Sequence, residues 1–108
     1  MEIRLAEVEP MAEIAIRTRN SCYIFCVTEP KGRRGFLSGG RLGPRPRQAF
    51  LANTFLATNR FISKKDQLVV GYLALFYLDD TGPDIIVTSV ITGLEIAPRP
   101  AGSSPEDC

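Results

Sequence analysis

The chain has no histidine. That removes the commonest general base and the commonest metal ligand. Ser-His-Asp and Cys-His arrangements are therefore excluded within one chain. Only three cysteines are present, Cys22, Cys26 and Cys108, with no Cys-x-x-Cys spacing. An odd count without that spacing argues against a disulfide scaffold and against a zinc site. No long hydrophobic run exists either. The longest apolar-rich stretch, Leu68 to Leu78, is far short of the ~20 residues a membrane helix needs. Near the start, Glu2, Glu7 and Glu9 leave no apolar block of the kind a secretory signal carries. No internal repeat, Walker lysine arrangement or Gly-x-Gly-x-x-Gly spacing occurs. The expectation is a cytoplasmic, bacterial-type domain that does not meet a membrane and holds no cofactor and no metal.

What is present is the composition of one globular domain. The 108 residues are 44% hydrophobic and 23% charged, ordinary values for a folded chain. A domain of this length buries roughly two thirds of its unfolded surface, enough for a core without metal or disulfide.

The dominant periodicity is two. Ile14, Ile16 and Thr18 alternate with Ala15, Arg17 and Arg19, the mark of a half-buried strand. Arg19-Asn20-Ser21 is a polar turn. Cys22 to Thr28 then sets Tyr23, Phe25 and Val27 against Cys22, Ile24 and Cys26, a strand apolar on both faces. At ~3.3 Å per residue, Cys22 and Cys26 stand ~13 Å apart, beyond the ~7 Å a disulfide spans. Both are expected to be reduced, buried thiols, and Cys108 an exposed one.

Glu29-Pro30-Lys31-Gly32 is turn chemistry. Arg34 to Ser38 is a short strand, Gly39-Gly40 a hairpin or bulge, Gly43-Pro44-Arg45-Pro46 a loop, and Arg47 to Ala52 extended. Thr54 to Gln67 reads as irregular, with room for a short helix. Leu68 to Leu78, with a bulge at Gly71, and Ile85 to Ile96 read as two long strands. They form a hairpin across the Asp79–Asp84 turn. Ala97 to Cys108 reads as a disordered tail. The fold expected over residues 1–96 is all-β: a small antiparallel barrel or sandwich of about five to seven strands.

Net charge is +1, but the charges are segregated. Residues 1–30 carry net −2 and residues 66–108 net −6. Residues 31–65 carry nine basic side chains and no acid: Lys31, Arg33, Arg34, Arg41, Arg45, Arg47, Arg60, Lys64 and Lys65. Arginine and lysine neutralise phosphates, and the interleaved Phe36, Phe50 and Phe61 have the chemistry to stack on unpaired bases. Arg33, Arg34, Arg41, Arg45, Arg47, Lys64 and Lys65 are thus candidate anion or nucleic-acid contacts. The competing reading neutralises them with Asp79, Asp80, Asp84 or Glu95, or with an acidic protein partner. Gly39-Gly40 beside Arg41 is a hairpin before it is a phosphate cradle, and Asp79, Asp80 and Asp84 lack the calcium-loop pattern. Arg17, Arg19, Asn20 and Ser21 cluster polar groups ahead of a hydrophobic strand. They are either a specific site or a turn in which Asn20 and Ser21 cap backbone groups.

Arg17-Thr18-Arg19-Asn20-Ser21-Cys22-Tyr23, then Leu37-Ser38-Gly39-Gly40-Arg41, Val69-Val70-Gly71-Tyr72 and Thr88-Ser89-Val90 follow one another along the chain. In that order they resemble a group of short bacterial β proteins without assigned function, over residues 16 to 92. The chain departs from the group at Ile24 to Arg34, with a longer basic turn, and from Ala97 onward. The resemblance implies a small β domain and carries over no activity and no catalytic residue.

The functional expectation is a non-enzymatic binding module with a protein partner or a second copy. The alternative is a nucleic-acid-binding barrel using residues 31–65. A far-ultraviolet circular dichroism spectrum is expected to be of strand type. Twin helical minima would contradict the period-two reading.

Overall fold

The computed structural model describes residues 1–78 and 84–97. It is all-β, with ten strands and two single turns of 3-10 helix, at Leu5–Glu7 and Gly40–Leu42. The strands are β1 (Glu2–Arg4), β2 (Ala12–Thr18), β3 (Cys22–Glu29), β4 (Arg34–Gly39), β5 (Arg47–Leu56), β6 (Asn59–Lys64), β7 (Gln67–Val69), β8 (Tyr72–Leu78), β9 (Asp84–Val87) and β10 (Ile91–Ala97). Residues 79–83 of the expected Asp79–Asp84 turn and residues 98–108 of the expected tail lie outside the described residues, whereas Asp84 opens β9 and Ala97, expected in the tail, closes β10.

All pairings are antiparallel. One sheet runs β10-β2-β3-β4-β5-β8-β9, with β6 also paired to β5, and β1 and β7 form a two-stranded sheet. The path is open, not a closed barrel. Its two end strands are nevertheless consecutive in the chain, joined by Thr88 to Val90. The sheet is strongly curled: Phe25 of β3 meets Phe76 of β8 edge to face, centroids 5.0 Å apart, although β4 and β5 separate their strands. Such a pair adds about 0.5–1.5 kcal/mol to the burial itself. The β3 alternation is borne out, since Tyr23, Phe25 and Val27 are buried. Ile14, Ile16, Leu37, Leu51 and Leu68 complete the same core.

Three readings need correction. Thr54 to Gln67 is not irregular and holds no helix: β5 continues to Leu56 and returns as β6. Every residue of Asn59–Ser63 is exposed, so no apolar alternation marked that strand. The Leu68–Leu78 run is two strands in different sheets, parted where Gly71 takes φ +96°. The Ile85–Ile96 run is also two strands. Only Asp84–Val87 pairs with β8, and β10 pairs with β2. The strand count therefore exceeds the expected five to seven.

The crossing between β9 and β10 is held by a compact set of hydrogen bonds. The Thr88 N–H donates to Ala74 O (2.9 Å), and the buried Thr88 hydroxyl accepts from Ala74 N–H (3.0 Å). Arg19 N–H donates to Val90 O and Gly71 N–H to Ile91 O (2.9 and 2.8 Å). The hydroxyl thus stands in for a carbonyl where the strand changes partner.

Gly39 and Gly40 open the β4–β5 connection with φ +91° and +50°. A Cβ on Gly40 would lie 2.4 Å from the ring of the buried Tyr23, whereas one on Gly43 (φ +77°) would meet nothing within 4 Å. Gly40→Ala is expected to cost about 2–4 kcal/mol in urea unfolding, as an overpacked site does. Gly43→Ala should cost less, about 1–3 kcal/mol, from its positive-φ extended backbone alone (φ +77°, ψ −168°). Thr88→Val should cost about 1–3 kcal/mol by stranding the Ala74 N–H. Equal costs for the two glycines would contradict the packing of Gly40 on Tyr23.

Candidate binding face

The outward side chains of a twisted antiparallel sheet line up in rows across its strands. One such row is set by the register Glu29↔Arg34, Arg34↔Phe50, Phe50↔Tyr77 and Tyr77↔Ile85. It crosses β3, β4, β5, β8 and β9 on the side away from the core. Phe50 and Tyr77 stack with centroids 6.3 Å apart and planes 8° from parallel. The guanidinium carbons of Arg33 and Arg34 lie 4.9 and 5.4 Å from the Phe50 centroid. Tyr77 is 45% exposed, Ile85 53%, Val87 37% and Phe36 39%. Arg34, Phe36 and Gln48 share a shallow concavity of about 150 Å³ beside this row.

Arg33 has the least typical backbone of the face. It closes the Pro30–Arg33 turn, its N–H donating to Pro30 O (3.2 Å), with φ +58°. That is the slot a glycine fills in many hairpins. Its Nη1 donates to Lys65 O (2.9 Å), and its own carbonyl accepts from Leu51 N–H. The side chain thereby ties the β3–β4 turn to the end of β6.

The basic middle does not converge as a whole. Arg33 and Arg34 sit on Phe50 at the start of β4. Arg41 and Arg45 are exposed in the connection at the opposite end of that six-residue strand. Arg47 pairs with Asp84 at 3.6 Å and Lys64 with Glu2 at 3.9 Å. Lys65 contributes its carbonyl to Arg33. Neutralisation by the acidic C-terminal part is thus realised for Arg47; Asp79 and Asp80 lie outside the described residues. Charge order along the chain was not preserved in space because β6 and the β4–β5 connection leave β5 at different ends.

The Arg17–Ser21 segment is a turn, capped differently from expectation. The Thr18 hydroxyl donates to Ser21 O and accepts from Ser21 N–H, and Asn20 N–H donates to the Ser89 hydroxyl (3.2 Å). Asn20 and Ser21 therefore take part through backbone groups, while Thr18 and Ser89 supply the side chains. Arg19 is exposed. Arg17 lies along Gly93 and lines, with Ile3, Val70 and Leu94, a groove of about 700 Å³ between β1 and β10. Phe61, named above as a stacking aromatic, is 97% exposed on β6, away from the Phe50 row, while the apolar outer face of β9 was not foreseen from the sequence. Neither position carries a motif.

The cysteines require a correction. Cys22 and Cys26 are half-buried on the outer face of β3. Cys26 is a free thiol, whereas Cys22 is disulfide-bonded. The strand spacing excluded a bond between these two, and did not exclude one from Cys22 to elsewhere. Cys108 lies outside the described residues. Among the described residues, no three His, Cys, Asp or Glu side chains gather as metal ligands would.

Comparison with protein-family models, with curated proteins and with solved structures finds no match.

Arg33→Ala is expected to lower stability by about 1–3 kcal/mol, the combined scale of a cation–π contact and a hydrogen bond. Arg33→Gly should cost about 1 kcal/mol less, because glycine adopts the left-handed conformation freely. Equal costs would show that the Arg33 backbone carries no such strain. Burial, and secondly the carboxylate of Glu13, raise the Cys26 thiol above its ordinary 9.0. Cys26 should therefore alkylate more slowly than a free thiol at neutral pH. Above pH 9 the unfolded chain releases this proton before the folded one does, so stability should fall there as pH rises. Cys26→Ala should flatten that part of the profile in a melting series.

Proposed function

We propose that the protein is a non-enzymatic binding module that engages a protein surface through the outer face of β4, β5, β8 and β9. The observation that carries this reading is the continuous row Arg34–Phe50–Tyr77–Ile85, with Phe36 and Val87 exposed beside it. Tyrosine, phenylalanine and arginine are the residue types that dominate protein interfaces. The row provides side chains that bind and no nucleophile paired with a base. We read the curled sheet as a small, half-open barrel whose outer wall is the recognition surface.

A nucleic-acid partner is the second reading, favoured by Arg33 and Arg34 over Phe50. Two observations weigh against it. The guanidinium groups already lie over Phe50, so that ring is not an open platform for a base. Arg47 and Lys64 are in ion pairs within the chain, and Arg41 and Arg45 project from the far end of β4.

Affinity capture from the native host, with and without nuclease, tests the choice. Captured proteins should survive nuclease treatment. They should fall at least about tenfold, equivalent to ~1.4 kcal/mol, with Tyr77→Ala/Ile85→Ala, a pair of exposed positions whose loss leaves the core intact. Loss of the captured material on nuclease treatment would overturn the protein reading. So would oligonucleotide binding that weakens linearly on a log–log salt plot.

A further inference from the structure

The edge of β9 carries more information than its exposure. In an antiparallel ladder, alternate residues turn their N–H and C=O toward a given neighbour. Thr88 N–H donates to Ala74 O, which sets the phase: Asp84, Ile86 and Thr88 face β8, opposite Leu78, Phe76 and Ala74. Ile85 and Val87 accordingly turn their backbone groups to the outer edge, where among the described residues β9 has no neighbouring strand. Natural edge strands are commonly blunted by charge, proline or a bulge. Ile85-Ile86-Val87 has none of these, and its register with β8 is unbroken.

We infer that β9 pairs with β9 of a second copy of this chain, antiparallel, about a two-fold axis through Ile86. This deepens the proposed function and rests on it, naming the partner of the same face. Only that register satisfies all the free edge groups. It sets Ile85 opposite Val87 of the partner and Val87 opposite Ile85. Each pair exchanges two backbone hydrogen bonds, so four link the strands. A shift by one residue would aim Ile85 at groups already committed to β8. The side chains agree with the backbone. Ile85 and Val87, 53% and 37% exposed, project from the same face and become direct cross-strand neighbours, a β-branched pairing that stabilises sheets. Tyr77 lies one strand inward and extends the apolar surface on both sides of the axis. No like charges oppose one another: Asp84, paired with Arg47, faces Thr88 of the partner. The isologous form of the contact closes it at two copies.

Sedimentation velocity on the full chain from micromolar to millimolar concentration tests the inference. The wild type should pass from monomer to dimer. Ile85→Lys/Val87→Lys should weaken dimerisation about tenfold or more, while Phe61→Lys, on β6, should leave it unchanged. Should the lysine pair disturb folding, hydrogen exchange on the wild type decides. The Ile85 and Val87 amides should gain protection with concentration, and the Ile86 amide, already bonded to β8, should not. A wild type monomeric throughout overturns the inference, as does a dimer insensitive to the lysine pair or amides whose protection ignores concentration. If that monomer still loses its captured proteins on Tyr77→Ala/Ile85→Ala, the self-pairing fails alone and the binding face stands.

Discussion

The architecture depends on one crossing. At Thr88–Ile91 the chain leaves β8 and joins β2, the strand at the opposite end of the sheet path. A strand that changes partner leaves backbone groups unpaired at the change, and unpaired groups inside a core are costly. Here the Thr88 hydroxyl receives the Ala74 N–H, Ser89 receives Asn20, and the carbonyls of Val90 and Ile91 take Arg19 and Gly71. The curl that brings Phe25 against Phe76 requires this return of the chain. Without the crossing, β2 and β8 would end an open, flat sheet with one face uncovered.

The crossing also gives a physical meaning to the four sequence segments that stood out. The Arg17–Tyr23, Val69–Tyr72 and Thr88–Val90 segments meet through the hydrogen bonds just named. The Gly39-Gly40 pair packs on Cys22 O and the Tyr23 ring. Residues that look like a motif along the chain are, in space, the fastening of the curled sheet. Their hydroxyls and glycines satisfy backbone groups and permit close approach. That is a structural task, and the row from Arg34 to Ile85 is made of residues with no motif character.

Legibility varied with the kind of signal. Strand β2 and the turn after it were readable because Ile14 and Ile16 alternate with Ala15 and Arg17, and β3 because its aromatic and β-branched residues mark an extended run. Apolar side chains on both faces of β3 left open which face is buried, and only the structure puts Cys22, Ile24 and Cys26 outside. The Pro30–Arg33 turn and the Gly39-Gly40 connection were readable from backbone chemistry. β6 was not, since all but Lys64 of it is exposed and its stability comes from the ladder to β5. The Leu68–Leu78 and Ile85–Ile96 runs were readable as extended but not as divided. An apolar residue is equally suited to either sheet, and nothing local says which neighbour a strand takes.

By itself, the sequence determined that the protein is all-β, which residues of β2 and β3 share a face, and that histidine chemistry is absent. These follow from the local period of hydrophobicity and from composition. Tertiary structure alone decided which charges meet. Nine cations within residues 31–65 became two arginines on Phe50, one ion pair to Asp84, one to Glu2, and a remainder distributed over the two ends of β4 and over β6. The row from Arg34 to Ile85 draws on residues up to 51 positions apart, and the exposed edge of β9 exists only because β10 departs to β2. Both are products of strand order and register, set by long-range pairing that no local pattern encodes.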